Sequence, residues 1–239
     1  MNRNENPGPG QPAKKPAPPI DRKAFWRIID RVLKDGGREG PSAFLDNLDK
    51  RLRPLGPEAV LEFDCYFHAY MDLAHQYGLW GAAGILCNGC SDDGFIDFRA
   101  WLVSRGETVY MAALADPDSL TDAPVTNGCR FESICGFCDT LYENMTGKNP
   151  YEMFNRAALR ARMDELRPTI AYGEGVDYPY RWSELRLYLP RLCDKYVDPK
   201  DLDNLIAVHD DPWNPNDPDI REAKANGRKH PRVLTGGAP

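Results

Sequence analysis

The chain has 239 residues, 42% of them apolar, and a formal net charge of −6 from 36 acidic and 30 basic side chains. That is enough apolar material for one packed domain with tails or two small domains, and the acidic balance disfavours nucleic acid as a partner, because phosphate contacts need a basic surface. No stretch reaches the roughly 18 apolar residues of a membrane span, and the N-terminal segment lacks the apolar run of a secretory signal, so neither a membrane partner nor export is expected.

Residues 1–20 are rich in Pro, Gly, Asn and Lys, too polar to offset their ordering entropy, and are predicted to be a disordered tail. Asp21 then caps a helix with Phe25, Trp26, Ile28, Ile29, Val32 and Leu33 on one face, stopped at Gly36-Gly37. A second helix is expected from Ser42 to Arg53. Gly56-Pro57 starts a third, longer one that runs to Tyr77 and ends at Gly78. A short helix at Trp80, a capped one from Asp92 to Arg105 and another from Glu107 to Ala115 follow. Asp116-Pro117-Asp118 reads as a turn and Thr121 to Gly128 as a loop. The apolar stripe Phe131, Ile134, Cys135, Cys138, Leu141, Tyr142, Met145 predicts a helix from Arg130 to Met145. Asn155 to Leu166 gives one more, ended by Pro168. Ser183 to Tyr196 is expected to be helical, with Pro190 near its start or kinking it. Residues 197–239 read as a Pro/Asp-rich tail in which 202–208 could form a short docking helix. With no convincing alternating strand, the class is all-α: one bundle-like domain over 21–196.

The stretch from Trp80 to Gly106, WGAAGILCNGCSDDGFIDFRAWLVSRG, organises this pattern. Ser91, Asp92 and Asp93 are suited to an N-cap, and Phe95, Phe98, Trp101 and Leu102 form an apolar face behind it. The run Trp80-Gly81-Ala82-Ala83, Asn88-Gly89-Cys90-Ser91-Asp92-Asp93-Gly94-Phe95 and Phe98-Arg99-Ala100-Trp101-Leu102, continued by Ala112 to Leu120, resembles the signature of the bacterial domain of unknown function 4240. Weaker likeness at Phe25-Trp26, Trp182-Ser183-Glu184 and Leu189-Pro190-Arg191-Leu192 extends it over about 22–196. The resemblance implies a compact helical bacterial domain and no particular activity.

Seven cysteines, an odd number, without an export signal point to reduced thiols in the cytoplasm. Cys87, Cys90, Cys135 and Cys138 form two C-x-x-C pairs, a spacing four thiolates could use for zinc. The second pair lies in an apolar stripe, so core thiols are favoured over zinc, and zinc over redox chemistry; no other cofactor is expected. Cys90 is expected to be buried and inert, because Asp92 and Asp93 oppose a lowered thiol pKa. Ser91, Asp92, Asp93 and Arg99 are candidates for a ligand site or a buried polar knot, in which Arg99 pairs with one of the two aspartates. Asp97 is a weaker candidate for magnesium. Asp64, His68, Asp72 and His75 share a helix stripe expected to face solvent, as do Arg156, Arg160, Arg162 and Arg167. Tyr172, Tyr178, Tyr180 and Trp182 could form an aromatic binding rim or merely pin a loop. Two functions remain in view: a non-catalytic cytoplasmic module for an unidentified protein or peptide, or a small enzyme or metal-dependent binder at the Cys90–Arg99 elbow.

Overall fold

The structure, a computed structural model, describes residues 20–125, 127–150, 155–173, 175–176 and 182–201. Of the expected tail 1–20, residues 1–19 lie outside them, as does the expected helix 202–208; Ile20 is described and belongs to the core, so the tail reading does not hold at its last residue. Among the described residues, ten α-helices and several short 3-10 turns account for the regular structure and no strand occurs. The all-α expectation therefore holds.

Helix α1 (Arg22–Lys34) packs on α2 (Pro41–Leu52) and α3 (Pro57–Leu73) through the face read from its periodicity, and Ile20 is already buried with them. Asp21 caps α1 by accepting from the Ala24 N–H. In the middle of this core, Trp26 Nε1 donates to Tyr70 Oη at 2.9 Å and the Tyr110 hydroxyl donates to the Tyr70 carbonyl at 2.8 Å. Both bonds satisfy polar atoms that would otherwise be buried unpaired.

α3 is shorter than its hydropathy suggests. It ends at Leu73, and α4 (Tyr77–Leu86) begins before Gly78. Gly78 is no stop: a Cβ there would lie 2.9 Å from Pro117 Cγ, so its missing side chain admits the next turn of chain. α5 (Asp92–Ser104) is buried along most of its length, and α6 (Glu107–Ala115) follows. Trp80 of α4 stacks on Phe95 of α5 with centroids 4.8 Å apart, and its indole N–H donates to the Cys90 carbonyl at 2.9 Å.

The expected helix from Arg130 is real only in its second half. Glu132–Ile134 is a single 3-10 turn, and α7 spans Phe137–Thr146. The Phe131 N–H is drawn to the Asp97 carbonyl, and Cys129 has a φ of 56°, so the chain turns against α5 before α7 can begin. α8 (Arg156–Leu166) begins after Asn155, close to the expected start, with the Asn155 side chain as its cap, and lies across α3. The last helical stretch splits into α9 (Trp182–Tyr188) and α10 (Pro190–Tyr196), because Pro190 lacks an N–H and holds Leu189 outside helical geometry. α10 is fastened from a distance: the buried carboxylate of Asp118 accepts from the backbone N–H groups of Arg191 and Leu192 at 3.0 and 2.9 Å.

Candidate functional site

The Ser91–Arg99 elbow is a structural joint. Ser91 Oγ accepts from the Gly94 N–H at 3.1 Å and caps α5. Asp92 and Asp93 are exposed, in the first turn where negative charge suits the helix dipole. The expected pairing of Arg99 with one of them does not form. Arg99 points the other way, donating from Nη1 to the Met71 carbonyl at 2.9 Å and from Nε to the Phe95 carbonyl at 3.3 Å, with Asp72 at 4.0 Å as its counter-charge. Its position on the inward face of α5 forces this: it is 7% exposed, whereas the two aspartates sit at the solvent end of the helix.

The four cysteines of the two C-x-x-C pairs do not converge. Cys87 and Cys90 meet at the α4–α5 junction, whereas the buried Cys138 lies against Asp64 of α3. Among the described residues no group of three or more His, Cys, Asp or Glu is placed to hold a metal ion. Cys90 is buried, as expected, and its thiol pKa is raised, but by the neighbouring Cys87 and by burial rather than by Asp92 and Asp93.

Of the aromatic rim, Tyr178 and Tyr180 lie outside the described residues, as does the side chain of Trp182. Tyr172 is half-buried and donates its hydroxyl to the Leu73 carbonyl at 3.3 Å, which is the loop-pinning alternative. Beside it, Gly173 comes so close to α6 that a Cβ would lie 2.3 Å from the Ala115 carbonyl oxygen. The exposed apolar side chains of this region belong instead to Leu187, Tyr188 and Tyr196.

Part of the α3 stripe expected to face solvent lines a concave site instead. Asp72 and His75 are exposed as expected, but Asp64 and His68, two turns and one turn nearer the start of α3, face α7. A pocket of about 450 Å³ opens between α3, α7 and α8. Its apolar wall is Leu61, Leu159, Ala158 and Pro150, and its polar rim is Glu58, Glu62, Asp64, His68, Asp139 and Arg162. Arg162 does not point to solvent with the other arginines of α8. Its guanidinium lies 4.1 Å from the Tyr66 ring centroid and bridges Glu62 and Glu165. That bridge ties α8 to α3 and neutralises Glu62.

His68 Nδ1 sits 3.3 Å from the Asp64 carboxylate and 3.1 Å from the Asp64 carbonyl. Burial opposes its charge, but these two contacts outweigh it and raise the imidazole pKa to about 9. His68 is therefore an imidazolium at neutral pH, a partner for Asp64 and not a general base. Asp139 has no ion-pair partner among the described residues, and burial together with the nearby Asp64 pushes its carboxyl upward. The sequence held one signal for this pocket: Glu58, Leu61, Glu62, Cys65 and His68 recur at three and four along one helix face. What covers that face is decided by α8, far away in the chain.

The chain belongs to the family described as Protein of unknown function (DUF4240), which matches residues 20–144. The match covers α1 to most of α7, including the elbow and the α3 and α7 walls of the pocket, and stops short of α8. No curated protein and no solved structure matches the chain. No described helix is long and apolar enough to cross a membrane.

Proposed function

We propose that the protein is a non-catalytic binding module that captures a peptide segment, and that the α3–α7–α8 pocket seats a basic side chain of that peptide. The observation that carries this reading is the composition of the pocket. An apolar wall of Leu61, Ala158 and Leu159 is rimmed by four carboxylates, of which Asp64 and Glu62 have partners while Glu58 and Asp139 have none among the described residues. A lysine or arginine offers the matching pair of features: an aliphatic stem for the wall and a cationic head for Asp139 and Glu58. The volume of about 450 Å³ suits one or two side chains.

Capped tripeptides with a central Arg, Lys, Glu or Leu, titrated into the full chain and followed by amide chemical shifts, test this. The Arg and Lys peptides are expected to shift α3, α7 and α8 resonances. Asp139→Asn should weaken them about fivefold, the equivalent of about 1 kcal/mol for one partly screened charge pair. Equal behaviour of the Arg and Glu peptides, or an unchanged Asp139→Asn variant, would refute the assignment.

A further inference from the structure

Cys87 and Cys90 form an arrangement that core packing does not require. The two side chains are neighbours across the Asn88-Gly89 turn, and Cys90 Sγ is turned to the Ser91 carbonyl at 3.6 Å. Cys87 is half-exposed and donates to the Gly128 carbonyl at 3.1 Å, while Cys90 is 4% exposed. The surrounding backbone is held in left-handed conformations: Asn88 at φ 54° and Gly89 at φ 103° on one side, Gly128 at φ 60° and Cys129 at φ 56° on the other. Asn88 and Cys129 are the only non-glycine residues with positive φ among those described, and both lie at this one spot. Such conformations persist where the surrounding structure over-determines them, and they concentrate at working sites. A basic group completes the cluster. The position a Cβ on Gly94 would take lies 3.5 Å from Cys90 Sγ and 3.8 Å from Arg130 Nη2, so the guanidinium stands beside the thiols. The hydrogen bond from Cys90 and the charge of Arg130 lower the Cys87 thiol pKa, and the same contact with burial raises that of Cys90. Exposure divides the roles: the accessible Cys87 is placed to attack and the buried Cys90 to resolve. In the remaining pair burial raises both thiols, Cys135 and Cys138.

We propose that Cys87 and Cys90 are a reversible dithiol–disulfide site that exchanges with low-molecular-weight disulfides of the glutathione class. The Cys87 thiolate attacks one sulfur of the oxidant RSSR, forming Cys87–S–S–R and releasing RS⁻. Cys90 then gives up its proton and attacks Cys87 Sγ, and the second RS⁻ leaves. Two electrons pass from the protein to the oxidant, and the two thiol protons end on two RSH. The product bond would staple the end of α4 to the residue preceding the α5 cap. Neither step involves the peptide pocket, so this inference stands apart from the binding reading.

The full chain is equilibrated in glutathione buffers from fully reduced to fully oxidised, quenched in acid, alkylated and mapped by mass spectrometry. Two of the seven thiols should disappear together as one intramolecular Cys87–Cys90 cross-link. Under native reducing conditions at pH 7, Cys87 should alkylate at least about tenfold faster than the half-buried Cys65, whose pKa is raised by burial. In Cys90→Ala, Cys87 should accumulate as the glutathione mixed disulfide; in Cys87→Ala, Cys90 should stay free. Seven free thiols in the most oxidising buffer, or a bond from Cys87 to Cys129, would overturn the proposal. The mapping of the unmodified chain decides this even where a variant fails to fold.

Discussion

Replacing Asp118 by alanine should loosen the C-terminal helices, and the size of the effect can be worked from two bonds. The Asp118 carboxylate is 4% exposed and accepts from the N–H groups of Arg191 and Leu192, the first residues of α10 after its proline. Those amides have no intrahelical acceptor, so Asp118 serves as a cap supplied from more than seventy residues away in the chain. Each hydrogen bond to a charged group is worth roughly 1.5–3 kcal/mol, but the two are lost together and water can reach the partly buried Arg191 amide. Asp118→Ala should therefore cost about 2–4 kcal/mol, a drop in melting temperature of roughly 5–15 °C for a domain of this size. Asp118→Asn keeps one acceptor oxygen and should fall about midway. Urea unfolding gives the global cost, and amide exchange at Arg191 and Leu192 reports whether α10 opens first. A loss below about 0.5 kcal/mol, with exchange at those two amides unchanged, would refute the reasoning that Asp118 holds α10 in place.

Two further perturbations separate roles that look alike in sequence. Ser91→Ala removes the acceptor of the Gly94 N–H and should cost about 1 kcal/mol, whereas Asp92→Asn and Asp93→Asn, exposed and acting only through the helix dipole, should each cost less than about 0.5 kcal/mol; urea midpoints in the reverse order would show that the acids, not the serine, hold the helix end. For His68, a folded pKa of about 9 against an ordinary 6.5 means that its contribution is complete below pH 6.5 and is lost as pH rises through 9. Because a third of the ring is exposed, that contribution is about 1 kcal/mol. Stability measured from pH 6 to 10 should fall by about that much more in the native chain than in His68→Gln, and parallel curves would rule the pairing out.

Periodicity and breakers carried the helices into view because those signals are local. Phe25, Trp26 and Ile29 lie on one face of α1 whatever that face packs against, and Ser91 is adjacent in sequence to the N–H groups it caps. The motif helices α4 and α5, the burial of Trp80, Phe95, Phe98 and Trp101 and the start of α8 at Asn155 were legible for the same reason. What the sequence left open were choices among partners distant in the chain. Arg99 reads as the donor that a partly buried Asp92 or Asp93 would need, yet its place on the buried face of α5 gave it the carbonyl of Met71 on α3. Arg162 reads as one arginine in a solvated row, and only the crossing of α8 over α3 sets it on Tyr66 and Glu62. Gly78 reads as a stop, and Pro117 packed against it makes it a contact. Composition and spacing thus determined an acidic, all-α chain and its capped joints. Tertiary packing alone decided which side of α3 is covered, where the pocket opens and which cysteines meet, because burial and ion pairing depend on what each face is packed against.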